Sequence, residues 1–127
     1  MISDDDSPGF HQIYLNGRPH PKDPDLLWYG DSIGHWEGDT LVVDRVNFDD
    51  ETWLDQAGHP QTEASVITER FWRPDFGHLK VDVTINDPKA YTRPWAVTED
   101  MQLLADTDLL EFVCSENNRD IPHLPHK

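Results

Sequence analysis

His59 sits in a loop-forming stretch, Trp53-Leu54-Asp55-Gln56-Ala57-Gly58-His59-Pro60, with Asp55 four residues before it and Glu63 four residues after it. An imidazole titrates near neutral pH and a neighbouring carboxylate can set its tautomer, so His59 with Asp55 or Glu63 is suited to move a proton as general acid or base. An exposed or turn-capping His59 is the plainer alternative. Two more ionisable residues, Glu69 and Arg70, lie inside the apolar and aromatic run Ala64 to Arg73, ASVITERFWR. Whichever of them turns toward the core must be paired or must face a wet cavity. In a cavity it would hold or polarise a substrate oxygen.

Aromatic residues cluster near predicted loops and strand ends: Trp28, Tyr29, Trp36, Trp53, Trp72, Tyr91 and Trp95. Indole and phenol rings supply apolar walls with one polar handle, as small-molecule pockets require, although core and rim packing would use them equally well. The expected ligand-contacting set is therefore Arg70, Trp36, Trp53, Tyr91 and Trp95, with His35 and Tyr29 beside them.

Other constellations carry less. Gly30-Asp31-Ser32-Ile33-Gly34 matches the G-x-S-x-G pattern of a serine nucleophile elbow, which needs a strand before the serine and a helix after it. Here a second strand is expected to follow, so a structural Ser32 is the better reading. His35-Trp36-Glu37 matches half of a zinc deaminase signature, but the P-C-x-x-C half is missing. Seven histidines and many carboxylates could converge on a metal, yet their spacing fits no ligand pattern, so neither metal nor cofactor is expected.

These side chains must be positioned by strands. Asp31 to Phe48, DSIGHWEGDTLVVDRVNF, reads as a hairpin turning at Gly38-Asp39, because glycine in the first central position suits the primed turns. Leu79, Val81, Val83 and Ile85 alternate strictly with Lys80, Asp82, Thr84 and Asn86, the clearest half-buried strand of the chain. Its partner arm leaves the register open. One loop length turns Val66, Thr68, Arg70 and Trp72 inward, and one extra residue brings in Ile67, Glu69 and Phe71 instead. A strand is also expected over Phe10 to Leu15, a proline-shaped crossing over Arg18 to Leu27 and a helical turn around Glu51 to Gln56. Trp95 to Leu104 and Leu109 to Ser115 should form a last strand pair.

The whole predicts an all-β domain of six to eight strands, a small antiparallel β-barrel or strongly curved sheet with long loops, lipocalin-like in general shape. A flexible acidic stretch over 1–9, a single domain over 10–118 and a polar tail over 119–127 complete the expected organisation. The 127 residues suffice for one core. A formal charge of −15 repels phosphate backbones and anionic membrane surfaces, which argues against nucleic acid and membrane as partners. A single cysteine, Cys114, allows no intrachain disulfide and reads as a packed hydrophobe. The start MISDDDSPGF lacks a basic-then-apolar signal, so a cytoplasmic protein or one exported with its signal removed is expected.

Gly17-Arg18-Pro19-His20-Pro21, Trp28 to Asp44, Thr52 to Pro60, Thr68 to Phe71 and Asp87 to Trp95 carry G-R-P-H-P, W-x-G-x-S-I-G-x-W-E-G-D-T-L-V-V-D, T-W-L-D-x-x-G-H-P, T-E-R-F and D-P-K-A-Y-T-x-P-W motifs. In these the chain resembles a group of largely uncharacterised bacterial proteins common in Acidobacteria-like genomes. The resemblance implies no established activity. Relatives tend to read G-H-P-H-[ST]-[DE]-A-L-H where this chain has Gln61 and Val66 at the second and third histidines, which leaves His59 and Glu63.

Functions from different classes fit these residues, the first of them leading. The first is a cofactor-independent acid/base enzyme, a cyclase, isomerase or lyase acting on a small, partly apolar molecule in an aromatic-lined barrel cavity. Its catalytic residues would be His59, Asp55, Glu63 and Glu69. The second is a non-catalytic small-molecule binding or carrier protein, or an interaction module whose sheet edge pairs with another chain, including a homodimer.

Overall fold

The computed structural model describes residues 11–51, 53–54 and 57–108. Six strands form one sheet in sequence order: β1 (Ile13–Tyr14), β2 (Asp31–Glu37), β3 (Thr40–Val46), β4 (Val66–Asp75), β5 (His78–Asn86) and β6 (Trp95–Gln102). β2 to β6 are a plain antiparallel meander. β1 pairs parallel to β2, so the sheet is mixed rather than purely antiparallel. Among the described residues β6 does not pair with β1, so the all-β sheet is not closed into the expected barrel, while the alternative of a curved sheet is compatible with it. Two paired residues of β1 are too few to supply a closing seam. The expected strand over Phe10 to Leu15 shrinks to Ile13–Tyr14, with Phe10 outside the described residues. The strand expected over Leu109 to Ser115, and Cys114 within it, also lie outside them.

The first hairpin forms as its turn residues require. Glu37 pairs with Thr40 around Gly38-Asp39, and Gly38 takes φ +60°, the left-handed conformation that glycine adopts without a Cβ clash. Where a helical turn is expected around Glu51 to Gln56, the described part of the segment instead makes an antiparallel bridge between Trp53 and Pro60, and Leu54 N–H donates to His59 O at 2.9 Å. Gly58 and Pro60 favour such a turn over a helix.

The β4–β5 hairpin resolves the open register. Asp75 pairs with His78 around Phe76-Gly77, then the ladder slips so that Trp72 pairs with Lys80. Arg73 and Pro74 thus oppose Leu79 alone, a bulge of one extra residue, and Pro74 has no N–H to lose there. Below the bulge Phe71 pairs with Val81, Glu69 with Val83 and Ile67 with Ile85. Glu69 therefore shares the apolar face and Arg70 takes the other.

That face holds the core. Phe48, Ile67 and Ile85 are buried together, with Leu54, Val83, Tyr91 and Trp95 packed against them. Phe48 arrives by a bend: Asn47 has φ +62°, Leu27 N–H donates to Asn47 O and Asp49 N–H to Leu27 O. Asparagine tolerates that region better than most residues. Asp87, almost wholly buried, ties the loops beneath the core together. Its carboxylate accepts from Thr62 N–H at 2.7 Å, Thr62 Oγ1 at 2.8 Å, and the N–H groups of Lys89 and Ala90.

Candidate functional site

Loop packing at one end of the apolar face brings three of the expected site residues together. Tyr91 meets the Trp95 ring edge-on at 5.5 Å between centroids, and His59 lies tilted against the same ring at 5.7 Å. Tyr91 Oη donates to Pro60 O at 2.8 Å, which fixes the 57–60 turn over the ring pair. Their partners do not join them. Glu63 points outward in an ion pair with Lys89, whose hydrogen bond holds the Glu63 carboxyl below the usual range and raises the Lys89 ammonium. Trp53 is mostly exposed. Asp55 lies outside the described residues.

Glu69 is elsewhere, halfway along β4 on the buried face. Arg45, from β3, donates from Nη1 to Glu69 Oε1 at 2.9 Å and from Nη2 to Tyr29 O at 3.1 Å, with its Cζ 5.3 Å from the Phe48 ring centre. Both side chains are nearly withdrawn from water. Glu69 Oε2 and Arg45 Nε are buried without a hydrogen-bond partner among the described residues. Beside them Ser32 Oγ and His11 Nε2 share a hydrogen bond at 2.8 Å, and the His11 ring stacks on Tyr29. Burial, with the Arg45 charge second, pushes His11 down to about 4, so it is neutral at neutral pH. Ser32 lies inside β2 and is almost wholly buried, and strand continues on both sides of it, unlike a nucleophile elbow.

Arg70 faces the other side of the sheet. Its Nη2 donates to Glu37 Oε2 at 2.6 Å, and His35 Nε2 lies 3.2 Å from Glu37 Oε1. The Arg70 hydrogen bond, then that of His35, holds the Glu37 carboxyl below its ordinary value. This exposed trio is a surface network, well separated in register from the buried face. Among the described residues, the expected site residues are thus scattered over several separate places and do not converge on one cavity.

A further cluster was not singled out by sequence pattern. Asp31 accepts from Arg18 and lies 2.7 Å from His20 Nδ1, while Arg18 Cζ sits 3.7 Å over the Tyr14 ring. Burial alone would raise the Asp31 pKa, but the bonds to His20 and Arg18 outweigh it and hold the carboxyl low. Its effect is to anchor the 18–21 crossing to the start of β2.

The groove at the other end of the apolar face was missed too. About 690 Å³ of space opens between the tips of the two hairpins. Its floor is Ile13, Leu41, Phe71 and Leu79, and its walls are Trp36 and Phe76. The two walls are 62% and 78% exposed, so large apolar rings face solvent across an apolar floor. Trp36 alone among the expected ligand contacts lies here. The signal in the sequence was Phe76 in the Pro74-Asp75-Phe76-Gly77 turn, where an aromatic serves no core.

Three charged residues line the groove. Asp75 is bound to His78 Nδ1 at 2.7 Å and to Gly77 N–H at 2.9 Å, chiefly the first of which lowers its pKa. Arg73 donates to Phe76 O and lies over the Phe76 ring, Cζ 5.1 Å from its centre. The Asp39 carboxylate makes no hydrogen bond or ion pair among the described residues.

No family model, curated protein or solved structure matches this chain. Among the described residues no group of three or more His, Cys, Asp or Glu is placed to hold a metal ion. The arrangement offers an open apolar groove with an acidic lip, a buried Arg45–Glu69 pair and an aromatic stack under a histidine.

Proposed function

We infer that this chain is a binding module that holds a small, partly apolar organic molecule in the groove between its hairpin tips, without converting it. One observation carries the reading: Trp36 and Phe76 stand exposed on either side of an apolar floor, enclosing a volume in the range of small-molecule sites. Exposed rings of this size on a shared concavity mark a surface used for binding more than a surface left over from folding. Titration with the neutral fluorophore N-phenyl-1-naphthylamine tests it. Saturable one-site binding is expected, weakened about tenfold or more in the Trp36→Ala/Phe76→Ala variant, since each ring contributes on the order of 1 kcal/mol of contact. Equal binding by wild type and variant would refute the reading.

A second reading, a cofactor-independent acid/base enzyme acting as a cyclase, isomerase or lyase, is favoured by Glu69. One of its oxygens is fixed by Arg45 while the other is buried and unpartnered among the described residues, an arrangement able to accept or deliver a proton. In this reading Glu69 is the proton carrier, and His59, set against Trp95, would serve a separate surface. Loss of turnover of an identified ligand in a folded Glu69→Gln protein would support it, and unchanged turnover would exclude it.

A further inference from the structure

We propose that the groove between Trp36 and Phe76 selects hydrophobic organic cations, an aromatic or aliphatic body carrying an ammonium group, over neutral and anionic molecules of the same shape. The proposal rests on the binding role argued above and specifies the ligand's charge.

Three independent observations point the same way. First, the walls are aromatic, and the face of an indole attracts a cation through its quadrupole, more strongly than any other side-chain ring. Second, the charges lining the groove are unequally available. Arg73 is engaged by the carbonyl and ring of Phe76 and Asp75 by His78 and Gly77, which leaves the Asp39 carboxylate unsatisfied among the described residues at the lip beside Trp36. Third, 25 acidic against 10 basic residues set a negative field around the whole molecule, which concentrates cations at an open site and repels carboxylates and phosphates. The groove is apolar enough to require a hydrophobic body and acidic enough at its edge to prefer a positive head.

The turn supplies a clean way to remove the charge. Asp39 is the second central residue of the Gly38-Asp39 turn, where asparagine is equally at home, so Asp39→Asn should leave the hairpin intact. Trp36→Leu keeps an apolar wall and removes the π face.

Three probes of matched shape separate the possibilities in the full-length protein, with binding followed by tryptophan fluorescence or calorimetry: benzyltrimethylammonium, its uncharged carbon isostere neopentylbenzene, and 3-phenylpropionate. Wild type should bind the ammonium about fivefold to tenfold more tightly than the isostere, as expected for one cation–π contact and one exposed carboxylate, with the carboxylate probe weakest. Asp39→Asn should reduce that ratio to about twofold while leaving affinity for neopentylbenzene within about twofold, and Trp36→Leu, which removes an aromatic binding wall, should weaken the ammonium more than neopentylbenzene and so also bring the ratio to about twofold. High salt should lower the ratio more in wild type than in Asp39→Asn, where only the general negative field of the molecule remains to be screened. Equal or tighter binding of the neutral isostere by wild type overturns the charge preference and leaves the binding role standing. A preference unchanged in both variants also overturns it. Failure of all three probes to bind overturns both.

Discussion

Arg45 Nη1 donates to Glu69 Oε1 at 2.9 Å across neighbouring strands on the buried face of the sheet, and each side chain keeps a further polar atom there without a partner among the described residues. Two opposite charges withdrawn from water hold one another in place, but each would be costly alone. Glu69→Ala or Arg45→Ala should therefore destabilise the domain by about 3–5 kcal/mol, whereas Arg45→Met/Glu69→Leu should cost much less than the sum, or nothing. Urea denaturation of the three proteins gives the comparison. A fully additive double variant would show that the pair is not coupled.

Asp87 ties two loops through four donors, so Asp87→Ala should cost about 3 kcal/mol and Asp87→Asn less, because the amide keeps one acceptor. Burial alone would raise the Asp87 pKa, but the Thr62, Ala90 and Lys89 hydrogen bonds outweigh it and hold it below 3.8. A depressed carboxylate contributes stability that is present above its unfolded value and lost as pH falls through its folded value. Acid unfolding below pH 3.8 should be less steep in Asp87→Asn than in wild type, as read by circular dichroism.

His11 acts in the same direction, in a higher pH window. Its folded pKa of about 4 lies below the ordinary 6.5, so between these values the unfolded chain takes up a proton that the folded protein refuses. Stability should fall as pH drops from 6.5 toward 4, and this slope should vanish in His11→Gln, which can still hydrogen-bond Ser32. The urea midpoint measured at half-unit pH steps separates this slope from the carboxylate losses below it.

Two glycines with positive φ should respond very differently to alanine. A Cβ at Gly30 would stand 2.6 Å from Val46 O and 2.9 Å from the Phe48 ring, where neither backbone nor core can give way. Gly30→Ala should cost roughly 2–4 kcal/mol. Gly38 has φ +60° but nothing within 4 Å, so only the conformational penalty of about 1 kcal/mol applies. Thermal melts of the two variants should rank in that order, and equal melting temperatures would show that the Phe48 approach is not rigid.

Trp36 and Phe76 add little to the fold, because both are exposed. Trp36→Ala and Phe76→Ala should leave stability within about 0.5 kcal/mol while lowering affinity for the neutral fluorophore. Paired denaturation and binding titrations on the same samples check the separation.

Much of the architecture was legible because strand periodicity is local. The alternation of Leu79, Val81, Val83 and Ile85, and the Gly38-Asp39 turn, depend on neighbours a few residues away, and both elements stand where the pattern put them. Open-sheet closure was not legible, since it depends on whether the first and last strands meet, which no local spacing encodes. The site residues scattered for the same reason. Trp36 and Phe76 are forty residues apart and become neighbours only when β3 and β4 pair, while His59 and Glu63, four apart, end on different partners.

The amino-acid order by itself determined that the chain would be strands and turns, strongly acidic, with one charged residue of the Glu69-Arg70 pair on the apolar face. Which one it was depended on a single extra residue at Arg73-Pro74, since a shift of one position sends every later side chain to the opposite face. The assembled sheet made that choice. Glu69 turned inward to Arg45, Arg70 outward to Glu37, and the hairpin tips were left open around a groove, because pairing among distant strands, not spacing along the chain, sets what each side chain meets.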